Sequence, residues 1–441
     1  MIKKLTVALV LLLAAVFSAA SELSDLQKEL KGALAAKDKA QVLAISQQLC
    51  AMGKKEAVEL VARYALLVDS YNIERKLAGL LAGLPEELRE PVRKLALKHP
   101  RYEARIVLAA VLAAYRDEKS FKTLCAMLRD RVPSVKLAVI SHLVKLGDVR
   151  AIDPLIDELS RWERAGGVVA GDLRQALHVL TGQYFHRASD WKKWWSINRA
   201  VFKGPRAARA RRGGRTTVRG PTFFGHEIVS KRILFILDMS GSMHVRDPYV
   251  PEQTPHVTVA KRGTTAVTKR TKKSAGKAGG KGKGKAEELP RSRERLYRVQ
   301  QELLRTIDAL TPDTRFTVMA FNHKILMLSD TPQLATAAFK RKAKAFVMSF
   351  RPEGETWTDK ALERAFEMAD KIDTIYLLSD GAPRRNNKRL DESVILEAVK
   401  RANRFHKIKI YTVGFLQAGR RMRAFLSALA RQNGGEYKEL R

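Results

Sequence analysis

Three short segments carry side chains whose types and spacing could hold a hard cation. The first is Asp238-Met239-Ser240-Gly241-Ser242, where alternation directs Asp238, Ser240 and Ser242 toward one point as the chain leaves a strand. The second is Gly354-Glu355-Thr356-Trp357-Thr358, and the third is Ser379-Asp380-Gly381. The set offers two carboxylates and three hydroxyls, with no imidazole or thiolate among them. Oxygen-only donors select Mg²⁺, Mn²⁺ or Ca²⁺ over zinc or copper. Mg²⁺ retains waters, so a few protein oxygens leave a position open to a carboxylate from a partner.

The elements that must position these residues are legible around them. Apolar runs at 233–237, 315–321, 375–378 and 410–413 read as buried strands. Helical patterns lie at 291–310, 335–350, 358–371, 391–406 and 421–432. Strand and helix in alternation predict a mostly parallel, doubly wound sheet with helices on both faces. Ligands of such sheets bind beyond the carboxyl ends of the strands, where all three segments fall.

With these residues in place, the stretch 225–441 resembles the von Willebrand factor type A (VWA) domain and its metal-ion-dependent adhesion site. The family pattern is Asp-x-Ser-x-Ser after the first strand, a Thr in a Gly-Gly-Thr loop and an Asp after the fourth strand. Asp238, Ser240, Ser242, Thr356 and Asp380 fill all five positions. The resemblance extends to Ala361-Leu362, Asp380-Gly381-Ala382-Pro383 and Asn433-Gly434-Gly435-Glu436-Tyr437. It implies a Rossmann-like fold, with Ser240, Ser242 and Thr356 touching the metal and Asp238 and Asp380 acting mainly through water. It also implies that an exposed Asp or Glu of a protein partner completes the coordination.

Two features depart from the family pattern. Glu355 stands where glycine is usual, and an extra carboxylate there is expected to weaken the binding of an acidic ligand. A basic insertion at 245–290 follows Ser242 directly. Two roles are open for it: steering acidic partners by long-range attraction, or a tolerated loop insertion.

Residues 21–200 read as helix after helix. A repeat with an offset of 31 residues aligns Arg105-Ile106-Val107-Leu108 with Lys136-Leu137-Ala138-Val139, and Asp117 with Asp148. Helix pairs of this kind bury their apolar faces by stacking. The stretch resembles HEAT repeats, which implies an all-α solenoid; Trp191, Trp194 and Trp195 read as a packing cap.

The net charge is +36 over 441 residues. Residues 21–200 hold 30 basic and 22 acidic side chains, a net of +8, so the excess lies elsewhere. The stretches 203–219 and 261–285 contribute 7 and 10 basic residues and no acid, 17 of the 36 together. The first falls in a basic linker, 201–224. Both are poor in large apolar residues and in aromatics, which argues against base stacking and specific nucleic-acid binding.

Residues 1–20 have the form of a signal peptide: Lys3 and Lys4, an apolar run from Leu5, and Ser18-Ala19-Ala20 at the cleavage end. The expected protein is exported, either periplasmic or secreted and at the cell surface, with no transmembrane segment in the mature chain, and bacterial by resemblance. Cys50 and Cys125 either pair or remain buried thiols.

No hydrolase signature surrounds Ser240 or Ser242, since the Gly-x-Ser-x-Gly elbow is absent. Gly279–Lys285 approaches a phosphate loop, but Ala286 replaces the hydroxyl residue. His244 reads as a surface residue. The expectation is a non-enzymatic, divalent-cation-dependent adhesion or protein–protein interaction module. The alternative is polyanion binding through the basic tracts, with nucleic acid, acidic glycan or an acidic envelope polymer as ligand.

Overall fold

The computed structural model describes residues 21–202, 204, 220–247 and 289–440. The signal segment 1–20, most of the 201–224 linker and most of the 245–290 insertion lie outside them.

The N-terminal region is a stack of helices: α1 (21–35), α2 (Lys39–Ala51), α3 (Lys55–Tyr64), α4 (Tyr71–Ala82), α5 (Glu90–Lys98), α6 (Tyr102–Tyr115), α7 (Glu118–Met127), α8 (Pro133–Leu146), α9 (Ile152–Trp162), α10 (Gly167–Thr181) and α11 (Ala188–Asn198). Their apolar faces merge into one continuous core. The 31-residue repeat corresponds to the α6–α7 and α8–α9 pairs. Asp117 caps α7 by accepting from the Ser120 N–H at 2.8 Å. Asp148 accepts from the Arg150 N–H at 2.9 Å in the same place one repeat later. Both side chains satisfy donors that a helix start leaves open.

The repeat also carries a buried cation at one register. Arg105 pairs with Asp130, with side chains 5% and 7% exposed, and its Nη1 donates to the His99 carbonyl at 2.7 Å. Lys136 reaches Glu158 at 2.5 Å. Such pairs are costly to break from one side, because the survivor keeps its desolvation penalty. Trp191 is fully buried under Phe185 in an edge-to-face contact, and Trp194 stacks on Trp195, closing the end of the stack. Cys50 and Cys125 are both free thiols, so the pairing alternative falls away.

The second region is a seven-stranded sheet flanked by helices on both faces. In chain order its elements are β1 (Thr222–Phe223), β2 (His226–Glu227), β3 (Arg232–Asp238), α12 (Arg295–Ala309), β4 (Arg315–Phe321), β5 (Ile325–Met327), β6 (Gln333–Leu334), α13 (Ala337–Met348), α14 (Thr358–Phe366), β7 (Thr374–Leu378), β8 (Arg384–Arg385), β9 (Lys388–Arg389), α15 (Glu392–Ala402), β10 (Lys409–Phe415), α16 (Gly419–Gln432) and β11 (Tyr437–Leu440). The sheet order is β11-β10-β7-β3-β4-β5, with β6 also on β4. The five strands from β11 to β4 are parallel, while β5 and β6 run antiparallel at the edge. β1–β2 and β8–β9 are separate hairpins.

Alternation along β3 divides the core. Phe235 and Leu237 face α12 and α13, whereas Leu234 and Ile236 face α14, α15 and α16. Phe223 is fully buried against Phe235 and Tyr376, so packing of this region begins two residues ahead of the 225 boundary read from sequence. Two of the expected helices are shorter than their patterns. The 358–371 pattern ends as α14 at Phe366 and finishes in tight turns. The 391–406 pattern ends as α15 at Ala402, because the Asn403 side chain binds both the N–H and the carbonyl of Ile408 and rounds the chain into β10. The loop between α15 and β10 rests on the helical region: Phe405 packs into its core and Ser134 Oγ donates to the His406 carbonyl at 2.9 Å.

Asp130→Ala strands the Arg105 guanidinium in a dry site and removes the acceptor of the Val132 N–H. The expected loss is about 3–5 kcal/mol, read by urea unfolding followed through helical circular dichroism. A substitution costing under about 1 kcal/mol would show that water reaches Arg105 freely.

Candidate metal centre

The site sits where the strand order reverses. β3 pairs with β4 on one side and β7 on the other, in register Leu237 to Leu378. The next residues, Asp238 and Ser379, therefore leave the sheet side by side, and Ser379 Oγ donates to Asp238 Oδ2 at 2.5 Å. A doubly wound sheet opens a crevice at this point.

All five predicted residues come together. The Ser240 N–H donates to Asp238 Oδ1 at 2.8 Å, bending the chain back over the strand end. The Ser240 and Ser242 hydroxyls are 3.2 Å apart, and Ser242 Oγ donates to Asp380 Oδ1 at 2.6 Å. Asp238, Ser240, Thr356 and Asp380 are buried. Thr356 enters from the 353–358 loop, which is laced to the first segment: the Gly241 N–H binds the Gly354 carbonyl and the Glu353 N–H binds the Met239 carbonyl, each at 2.9 Å. Gly381 completes a cradle. A Cβ there would stand 2.9 Å from Thr356 Oγ1 and 3.2 Å from Ser242 Oγ, so hydroxyls from two segments converge on one point that only glycine leaves open.

Both carboxylates are buried. Burial first, and the charge of Asp380 second, push the Asp238 carboxyl up to about 7. A hard cation among these oxygens would relieve that repulsion, and the donor chemistry fits Mg²⁺, Mn²⁺ or Ca²⁺.

Two residues that the sequence did not single out stand behind Asp380. Arg295, the first residue of α12, donates through Nη1 to Asp380 Oδ2 at 2.6 Å. Its Nε and Nη2 bind Asp247 Oδ1 at 3.0 and 2.8 Å, with all three side chains nearly inaccessible. The guanidinium also lies over the Phe415 ring, 5.2 Å from its centroid. Asp380 thus turns one oxygen to Arg295 and the other to Ser242. Asp247 and Arg295 are 48 residues apart and ordinary in type, so no spacing rule marks them. The same region closes the long interruption: the Arg295 N–H binds the Val245 carbonyl, the Asp247 N–H binds the Arg293 carbonyl, and Arg246 bridges Glu294.

Glu355 is held by donors of the neighbouring hairpin and loop. Its carboxylate accepts from Trp357 Nε1 at 3.0 Å and from the Asn386 and Asn387 N–H groups at 2.9 and 2.6 Å. These donors, the Trp357 indole foremost, hold its carboxyl below the usual range. Both oxygens are taken by the β8–β9 turn, where Asn386 and Asn387 have φ of 53° and 59°. The residue braces a hairpin beside the site and stays ionised there. His244 is exposed, and its ring binds the Gly241 carbonyl.

A family model described as von Willebrand factor type A domain matches residues 292–439, and one described as HEAT repeats matches residues 90–177. The first match contains Thr356 and Asp380 but begins after Asp238–Ser242, which joins it through the pairing of β3 between β4 and β7. Several solved structures are similar. A von Willebrand factor type A protein from Catenulispora acidiphila is 14% identical, with 48% of this chain and 39% of that chain covered and a TM-score of 0.33. The chain thus spans about two fifths of that protein's length. An aerotolerance-related membrane protein from Bacteroides fragilis is 13% identical, covering 47% and 90%, with a TM-score of 0.28. Proximal thread matrix protein 1 from the mussel byssus, solved with a zinc-occupied MIDAS motif, is 14% identical, covering 47% and 40%, with a TM-score of 0.28. The chain is a helical repeat region followed by a VWA-like α/β domain with a mostly parallel sheet.

Gly381→Ala should weaken Mg²⁺ uptake by about tenfold or more, because the added Cβ crowds the Thr356 and Ser242 hydroxyls. Calorimetric titration checks it; unchanged uptake would place the cation away from Thr356 and Ser242. The pH dependence has a definite sign. A buried Asp238 carboxyl raised to about 7 holds its proton on the acid side, and a cation must displace that proton. Uptake should therefore weaken as pH falls through neutrality, and Asp238→Asn should flatten that dependence.

Proposed function

We propose that this protein is an exported interaction module that binds an acidic group of a partner protein through a divalent cation held by Ser240, Ser242, Thr356, Asp238 and Asp380. The observation that carries the reading is the convergence of hydroxyls from two segments on the Gly381 cradle, beside two carboxylates that repel one another when both are ionised. A VWA-like domain supports a protein-interaction role in general. The metal-ion-dependent adhesion site is a reading of these residues.

Ser240, Ser242 and Thr356 would hold the cation directly, and Asp238 and Asp380 mainly through water. The bound cation, Mg²⁺ or else Mn²⁺ or Ca²⁺, would supply Lewis acidity toward an oxygen of the partner's Asp or Glu. The protein's own part is preorganisation: Arg295 fixes the Asp380 carboxylate, Ser379 and the Ser240 N–H fix Asp238, and the laced loops fix Thr356. We assign no catalytic step to this site, because Glu355, the base nearest in sequence, is occupied by three N–H donors. The helical repeats would act as a second binding surface or a spacer.

The expected setting is the periplasm or surface of a bacterial cell. No helix among the described residues is long and apolar enough to cross a membrane.

The test compares wild type with Asp238→Ala in capture of an acidic partner from envelope extract, backed by calorimetry with Mg²⁺ alone. Capture should vanish with EDTA, return with Mg²⁺, vary little with salt and fail in Asp238→Ala. Capture that ignores EDTA and falls steeply with salt would instead favour polyanion binding through the basic tracts.

A further inference from the structure

At the other end of the sheet, where parallel strands begin, the α15–β10 loop and the helical region enclose a cleft of about 590 Å³. Its walls come from α4, α6, α8 and α10 on one side and from α15, the loop and the end of α16 on the other. Cations dominate the lining. Lys409 is paired with Asp172, and Arg404 lies 3.3 Å from Glu74. Arg75, His142, Lys145 and Lys407 also line the cleft, and none has a side-chain hydrogen bond or ion pair among the described residues. The two acidic side chains of the lining each face a cation, Asp172 facing Lys409 and Glu74 facing Arg404, with Lys407 also within reach of Glu74.

These groups crowd one another. His142 and Lys145 are three residues apart on α8 and so share a face. Lys407 approaches from the opposite wall. Burial, then Lys145 and Lys407, drive the His142 imidazole down to about 4. Burial, then Lys145, lowers the Lys407 ammonium, against the pull of Glu74. The lysine is fixed there by its backbone, which takes a φ of 57° inside the loop clasped by Asn403, whose side chain also binds Asn433 Oδ1 at 2.7 Å. The lining carries more basic than acidic side chains, an environment that attracts negative charge, and a neutral His142 can still donate an N–H to it.

We propose that this cleft binds a small multivalent oxyanion, bearing phosphate or several carboxylates, between Arg75, His142 and Lys145 of the helical repeats and Lys407 of the α/β domain. The site is separate from the metal centre and does not depend on it. A ligand there would tie the two regions together, since both walls contribute cations.

Calorimetry on the full chain with pyrophosphate and with citrate tests the proposal. The basic tracts also attract anions, so a variant with the ten basic residues of 261–285 changed to Gln runs in parallel. Saturable one-site binding should persist in that variant and weaken by about tenfold or more in Lys145→Gln/Lys407→Gln. Tighter binding of pyrophosphate would identify a phosphate ligand, and tighter binding of citrate a polycarboxylate. The double variant should fold at least as stably as wild type without ligand, because it relieves repulsion. No saturable binding by wild type, or equal binding by the double variant, would overturn the proposal.

Discussion

The arrangement of the C-terminal domain depends on one electrostatic conflict. Asp238 and Asp380 close adjacent parallel strands and are forced together in a site that excludes water. Two carboxylates so placed repel strongly, because a dry environment screens them poorly. The surrounding residues answer the conflict one oxygen at a time. Ser379 and the Ser240 N–H occupy the two oxygens of Asp238, while Ser242 and Arg295 occupy those of Asp380. Four donors soften the repulsion without removing it, and the remaining demand for positive charge is what a hard cation would meet.

The sheet makes this conflict unavoidable. Because β3 lies between β4 and β7, its end marks the point where the winding changes direction. The chain then has to arrive from three directions with backbone contacts that hold the loops still. The Met239–Glu353 and Gly241–Gly354 hydrogen bonds supply them. Rigidity in the loops matters as much as the donors, since a site loose by an ångström would lose its selectivity.

Much of this was legible in the sequence, and for physical reasons. A buried parallel strand must be apolar throughout, so 233–237 and 315–321 stand out, and a hydrogen-bonded loop at a strand end must be polar, so Asp238, Ser240 and Ser242 stand out next to it. Thr356 and Asp380 were readable through resemblance. What stayed hidden was tertiary. Arg295 and Asp247 meet only because the two ends of the interruption pair, and no periodicity connects residues 48 apart. The partners of Glu355 were hidden as well, because the hairpin N–H groups that bind it lie about thirty residues downstream. The α15–β10 loop was hidden inside a helical pattern whose last turn Asn403 unwinds.

The backbone pairing of 245–247 with 293–295 has its own meaning for how such a chain can evolve. Both ends of the interruption are stitched at one spot on the rim, and the stitch itself holds Asp247 under Arg295. Changing the length of the sequence between those ends costs only a slowly growing loop-closure term. The domain therefore has, beside the candidate metal centre, a position where loop length can vary at little cost to the pairing beneath it.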